Sequence, residues 1–284
     1  MPTDISKAVL ITGCSSGIGH ATAERLVKGG WTVYATARRL DSIAPLAERG
    51  CRLLELDVCD ETSMRAAVDA VTGAEGAVGV LVNNAGYSQS GAVEEVQMDA
   101  VRRQFETNVF GLVRLTQMVL PGMRRQGWGK IVNLSSMGGR LTFPGGGFYH
   151  ATKHAVEAIG DALRFEVRGF GIDVITIEPG LIKTAFGETA VGAIHEATPD
   201  EGPYAKFNAA VASTTANAYE GGLGKLGAGP DAVARKIEKA ITARSPRARY
   251  PVTASARLLM TQRRLMPDRA WDALMRSQFP SPGR

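Results

Sequence analysis

The apolar run from Lys7 to Thr12 passes directly into Gly13-Cys14-Ser15-Ser16-Gly17-Ile18-Gly19, and an amphipathic stretch follows as far as Lys28. Few folds place a glycine-rich turn between a strand and a helix in this way. The glycines let backbone approach a pyrophosphate, and the helix N-terminus stabilises its charge. A glycine triplet alone marks only a tight turn. With the strand before it and the helix after it, the turn points to a bound dinucleotide.

The same rhythm continues down the chain. Strands are predicted at Lys7–Thr12, Thr32–Thr36, Leu53–Leu56, Val78–Val82, Lys130–Leu134, Asp173–Ile177 and Ala248–Val252. Helices are predicted at Gly17–Lys28, Glu61–Val71, Asp99–Arg125, Tyr149–Arg168 and Asp231–Ala243. Such alternation specifies a parallel sheet covered on both faces, with right-handed connections. The expected fold class is therefore α/β, a doubly wound, Rossmann-like parallel sheet in a single domain spanning residues 1–254. The rhythm fails between Leu181 and Pro230, an Ala-, Gly- and Thr-rich stretch that includes Gly221-Gly222-Leu223-Gly224. A long irregular segment inside a compact domain reads as a substrate lid, with a small helical excursion as the alternative. Residues 255–284 read as a helical C-terminal extension, with a single helix over Ser255–Arg276.

Composition narrows the class further. A chain of 284 residues that is 44% hydrophobic and 21% charged can bury a substantial core. No apolar run approaches the ~18 residues of a membrane span. The segment Met1–Lys7 has no secretory h-region. Cys14, Cys51 and Cys59 cannot all pair and fit no zinc spacing, so a reduced cytoplasmic protein without a metal is expected. From Arg244 to Arg284 nine arginines face only Asp268 and Asp272. Subtracting that local +7 from the whole-chain +5 leaves −2 for the body, a weak footprint for nucleic acid.

Tyr149 and Lys153 stand four residues apart, so they share one helix face. A phenol ordinarily ionises near pH ~10, and a neighbouring ammonium favours the phenolate. Such a tyrosine can protonate a carbonyl oxygen as hydride reaches the carbon, or deprotonate an alcohol in reverse. Ser136 can hydrogen-bond the same oxygen as charge develops. Ser135 competes for that role, although a strand-end cap suits it better. His150 and His154 also stand four apart, but no third ligand accompanies them, and a helix-surface or subunit-contact position is expected.

The spacing G-x-x-x-G-x-G, Asn83-Asn84-Ala85-Gly86 after the fourth strand, Asn108, Ser136, Tyr149-x-x-x-Lys153 and Pro179-Gly180 with Thr184 together resemble the short-chain dehydrogenase/reductase family over roughly residues 7–185. The thirteen-residue gap seen in that family favours Ser136 over Ser135. The resemblance implies that Lys153 also binds the nicotinamide ribose and that Asn108 holds a water in a proton relay behind it. It further implies a cofactor site formed by Gly13, Ser15, Ser16, Gly17, Ile18, Gly19, Asp57, Val58, Asn83, Ala85, Gly86, Tyr149, Lys153, Pro179, Gly180 and Thr184. Asp57 would accept from the adenine amino group, and Thr184 would meet the carboxamide.

The second strand ends in Ala37-Arg38-Arg39, with no acid before Asp41. A carboxylate at its end would take ribose hydroxyls and repel a 2′-phosphate, whereas a guanidinium binds that phosphate through parallel charged hydrogen bonds. Arg38 occupies the family's phosphate position, so NADP(H) is expected over NAD(H).

A ketone and secondary alcohol are the expected substrate pair. Met137, Phe143, Phe148 and Phe186, with Tyr87, Leu141, Tyr204 and Phe207, suggest an apolar pocket, and Arg140 is its obvious charge. The Val33–Arg38 stretch and the long tail are similar to the 17β-hydroxysteroid and retinol dehydrogenase branch. Alternatives are a 3-oxoacyl thioester reductase and a non-catalytic NADP-sensing protein. A homodimer or homotetramer is the expected assembly, with no nucleic-acid partner.

Overall fold

The structure is a computed structural model that describes residues 5–197, 199, 201–218 and 224–283. Gly221, Gly222 and Leu223 of the glycine-rich run lie outside the described residues.

Seven strands form one parallel sheet: β1 (Val9–Ile11), β2 (Val33–Ala37), β3 (Arg52–Glu55), β4 (Val80–Asn83), β5 (Gly129–Leu134), β6 (Ile172–Glu178) and β7 (Arg249–Pro251). Their spatial order is β3-β2-β1-β4-β5-β6-β7. β1 pairs with both β2 and β4, Val9 lying beside Val33 and Val80. The order therefore reverses between β1 and β4, whose C-terminal ends form the switch point at which sheets of this kind bind ligands. β1, β2 and β4 are buried at every position, as a sheet covered on two faces requires.

The helices are α1 (Gly17–Lys28), α2 (Ala44–Glu48), α3 (Glu61–Glu75), α4 (Met98–Phe105), α5 (Gly111–Gln126), α6 (Gly147–Val167), α7 (Phe186–Ala197), α8 (Ala205–Asn217), α9 (Pro230–Thr242), α10 (Ala254–Leu265) and α11 (Asp268–Gln278). One core joins α1 and α9 to the sheet through Leu26, Val233 and Ile237. The other joins α3 and α5 through Val71, Leu115 and Met123. Among the described residues no helix is long and apolar enough to cross a membrane.

Three stretches differ from expectation. The single helix read over Asp99–Arg125 is interrupted by a π-helical turn at Glu106–Phe110. The segment expected to be a lid is largely helical, as α7 and α8. Alanine favours helix, but short side chains leave little apolar periodicity to read. The C-terminal helix is two helices, broken at Met266-Pro267, where proline cannot donate to the preceding turn.

α11 is not a solvated tail. Trp271, Met275 and Phe279 pack with Ile194 of α7, Val211 of α8 and Phe143 in a third core. That cluster joins α7 and α8 to the loop between β5 and α6.

Candidate active site

The turn after β1 is built on close backbone approach. Gly13 has φ +72°, and a Cβ on Gly19 would lie 2.3 Å from the Gly13 carbonyl oxygen. α1 can begin this near the strand only with hydrogen at position 19. Thr12 and Asn84 hold the turn from the other side. Asn84 Nδ2 donates to the carbonyls of Thr12 and Gly13, at 2.9 and 3.0 Å. Thr12 Oγ1 accepts from the backbone N–H groups of Asn84 and Ala85. Neither residue was among the sequence candidates. Asn83, which was, directs its side chain into the sheet, donating to Asn133 and Thr116.

Ser15 and Ser16 are exposed on this turn, and the Ser16 side chain caps no N–H of α1. Thr184 reaches across from the β6 side, its Cγ2 3.3 Å from where a Cβ on Gly17 would be. Burial pushes the Cys14 thiol up to about 12, so it stays protonated and inert. At the end of β2, Arg38 is exposed and makes no ion pair among the described residues. Arg39 is engaged by Asp41, with Nε at 3.1 Å from Oδ1. Asp57 is half-buried after β3 and accepts from the Cys59 N–H at 2.9 Å. Val58 beside it is buried, and its carbonyl faces Gly111.

The reactive candidates converge beside β5. Lys153 lies on α6, buried, with Nζ 5.8 Å from the Tyr149 ring centroid and donating to the Leu134 carbonyl at 2.8 Å. Desolvation lowers its ammonium to about 8, opposed by the negative charge of Glu157 one turn along. Ser136 caps the 3₁₀ turn Met137–Gly139, its Oγ accepting from Gly138 N–H at 3.0 Å. Met137 N–H donates to the Pro179 carbonyl at 2.8 Å, joining this turn to the end of β6.

Asn108 sits in the π-helical turn, 1% exposed. Its side chain accepts from Tyr87 N–H at 3.1 Å and donates to the Tyr87 carbonyl and to Thr152 Oγ1. Gly86 is the contact between them: a Cβ there would lie 3.0 Å from Asn108 Oδ1 and 3.7 Å from Lys153 Nζ.

Of the pocket candidates, Phe186 meets Tyr149 with ring centroids 5.7 Å apart. Phe143 packs on Trp271 and His150. Phe148 goes elsewhere, against the Val96, Ala100 and Val101 cluster beside α4. Leu141 is buried, Tyr204 donates to Glu94, and Phe207 packs on Phe279. The expected surface position of His150 is corrected. It is buried between Gly138 and Gly146, either of which would clash with it if given a Cβ. Its Nδ1 accepts from Phe143 N–H at 3.1 Å, and burial lowers the imidazole to about 4, so it is neutral. His154 is exposed.

Residues 7–192 match the family model described as short chain dehydrogenase. The chain is 36% identical over 273 residues to YbbO of Escherichia coli strain K12, described as an uncharacterized oxidoreductase, covering 95% of this chain and 94% of that one. It is 35% identical over 276 residues to the NADPH-dependent 3-dehydrocapnine reductase of Ornithobacterium rhinotracheale, covering 93% and 94%. A crystal structure of a short-chain dehydrogenase from Streptomyces avermitilis superposes with a TM-score of 0.80 at 32% identity over 96% of each chain. A glycine-rich strand-to-helix turn, a Tyr–Lys helix beside Ser136 and these likenesses agree, and the chain belongs to the short-chain dehydrogenase family of oxidoreductases.

Proposed function

We propose that the chain is an NADP(H)-dependent oxidoreductase that interconverts a lipophilic ketone and its secondary alcohol, with Tyr149 as the acid and base. The observation that carries this is the grouping of Tyr149, the buried Lys153 ammonium and Ser136 at the mouth of the glycine-rich cradle.

The cradle fits a dinucleotide. Gly13 and Gly17 have positive φ, side chains are absent where a phosphate would approach, and the N-terminus of α1 supplies free N–H groups. Ser15, Ser16, Gly17, Ile18 and Gly19 would hold the pyrophosphate. Asp57, Val58, Ala85 and Gly86 would take the adenosine, and Pro179, Gly180 and Thr184 the nicotinamide. The unpaired Arg38 would bind a 2′-phosphate while Arg39 stays with Asp41. When bound, the nicotinamide supplies or accepts a hydride.

The protein's own groups do the rest. Tyr149 gives its proton to the substrate oxygen in reduction and takes it back in oxidation. Lys153 stabilises the phenolate that remains, since opposite charges in a desolvated site attract strongly. Ser136 donates to the same oxygen and orients it. Asn108 spends its side chain on Tyr87 and Thr152, so it would brace the segment after β4.

The lid helices α7 and α8 close the substrate side, Phe186 lying on Tyr149 and α11 fixing the outer wall. The apolar character of that wall supports a lipophilic substrate of moderate size. An NADPH-consumption screen over steroids, retinal, acetoacetyl thioesters and simple diketones tests the reading, followed by Tyr149→Phe on any substrate found. The variant keeps the packing and loses the proton donor, so turnover falls by orders of magnitude while NADPH still binds. Near-normal turnover in that variant would overturn the assignment.

A further inference from the structure

Beyond Tyr149, the loop that leads into α6 and the helix α11 face each other across a cavity of about 630 Å³. Its lining divides by chemistry. Phe143, Trp271 and Met275 offer apolar surface, while Arg140, Arg263 and Arg276 bring three guanidinium groups, with His154 beside them. Asp272 is the one acid in that lining.

The arginines differ in how far they are already neutralised. Arg263 donates to Asp268 at 2.6 Å and to the Met266 carbonyl at 3.1 Å, and lies over the Trp271 ring. Arg276 is exposed and has no ion pair among the described residues. Among the described residues Arg140 has only Glu178, at 4.0 Å, and burial and the nearby Glu157 raise that carboxyl to about 7, so near neutrality it is only partly charged. Two guanidinium groups without full compensation therefore line one cavity with aromatic walls.

Packed rings lie between the cavity and Tyr149. From Tyr149 to His150 the ring centroids are 5.7 Å apart, from His150 to Phe143 6.0 Å, and from Phe143 to Trp271 6.0 Å. Three ring contacts thus separate the proton donor from the basic wall, and a ligand would have to run over their outer face to touch both. A ligand with its carbonyl at Tyr149 and an apolar body would bring its far end here.

We infer that this cavity receives the anionic end of an amphiphilic substrate, a carboxylate or similar oxyanion carried at a distance from the ketone, through Arg140 and Arg276. Planar guanidinium groups suit such an end because each can give two parallel charged hydrogen bonds. The inference rests on the ketone-reduction reading above and adds the charge class of the substrate to it.

Binding and turnover separate the two. Calorimetry on the full chain with NADPH present compares decanoate with 1-decanol. Decanoate should bind about tenfold more tightly, a gap of ~1.4 kcal/mol. Arg276→Glu should erase that gap, and Arg276→Lys should keep part of it, since the charge survives and the fork does not. Equal binding of the two probes, a gap that survives Arg276→Glu, or no binding of decanoate would each overturn the inference; the last is also the result if a second copy of the chain covers the cavity. Turnover is then followed with 9-oxodecanoate and its methyl ester. A kcat/KM about tenfold higher for the acid, lost in Arg276→Glu, supports the inference. Decanoate binding without reduction of either ketone would leave the anion site standing and remove the reductase reading. Equal reduction of acid and ester without preferential decanoate binding would do the reverse.

Discussion

The Lys153 ammonium donates to the carbonyl of Leu134 at 2.8 Å, which fastens α6 to the end of β5. A neutral amine could still make that bond, but a Tyr149 phenolate would need the cation, and burial lowers the ammonium from 10.5 to about 8. Ketone reduction should therefore decline as pH rises through about 8, as the cation is lost. Stability moves oppositely: the unfolded chain holds that proton up to about 10.5, so burial of Lys153 penalises the fold least above that value and most below about 8. A pH–rate profile of kcat/KM in the reductive direction checks the first point. A plateau to pH 10 would remove Lys153 from the mechanism.

Gly19→Ala should cripple nucleotide binding. Its Cβ would lie 2.3 Å from the Gly13 carbonyl oxygen and 2.6 Å from Asn84 Nδ2, both part of the rigid cradle. Overpacking of this kind costs about 1–3 kcal/mol. The NADPH Kd, read by nucleotide fluorescence, should rise at least tenfold, with a smaller fall in Tm.

Arg38→Asp should reverse cofactor preference. The wild-type chain is expected to favour NADPH, and a charged hydrogen bond is worth roughly 1.5–3 kcal/mol. The variant should lose about tenfold or more in kcat/KM for NADPH, mainly through the cofactor KM, and gain on NADH. Equal or better use of NADH by the wild-type chain would contradict this.

Trp271→Ala should loosen the lid. Trp271 is 6% exposed and joins Phe143 to the α7 and α8 cluster, and removing a buried tryptophan typically costs about 3–5 kcal/mol. Faster hydrogen exchange over Phe186–Ala197 and Ala205–Asn217, with β1 and β4 unaffected, is the expected result. Shortening the chain to residue 267 should do the same and raise KM for bulky substrates more than for small ones.

Glu178→Gln should stabilise the protein at pH 8 and much less at pH 5.5. Glu178 is 3% exposed, and desolvation and repulsion from Glu157 raise it from 4.5 to about 7. The folded chain thus holds a proton that the unfolded chain has lost between those values, and the stability it brings disappears as pH rises through about 7. Glutamine retains the neutral form, so the Tm difference between variant and wild type should grow by a few degrees from pH 5.5 to pH 8.

Much of this was legible because it is periodic or fixed in spacing. The strand and helix order, α1 to its terminal residues, and the Ser136, Tyr149 and Lys153 spacing are local patterns. The π-helical turn was not, since one extra residue at Glu106–Phe110 barely disturbs an apolar period. Thr12 and Asn84 were missed because their bond joins residues 72 apart. His150 resembled a surface residue because its burial depends on Gly138 and Gly146, whose meaning emerges only when the loop folds over it. Phe148 was a pocket candidate from the segment before α6, but neighbours on a helix point about 100° apart, and it packs beside Val96, Ala100 and Val101 while Tyr149 meets Phe186.

β1 has a further bearing, on how such a chain assembles. It is an interior strand, third in the order of seven, yet only its β2 edge can be filled by nearby sequence; the β4 edge waits for residues near Val80. During synthesis a fully apolar strand therefore stands with one open edge while α3 is still being made, the kind of surface that invites wrong pairing. Closure is a long-range step and hence a slow one. Thr12 and Asn84 belong to that step, because their bonds form only when β4 arrives. The glycine-rich turn, written within the first twenty residues, acquires its final shape only after the sheet has closed around it.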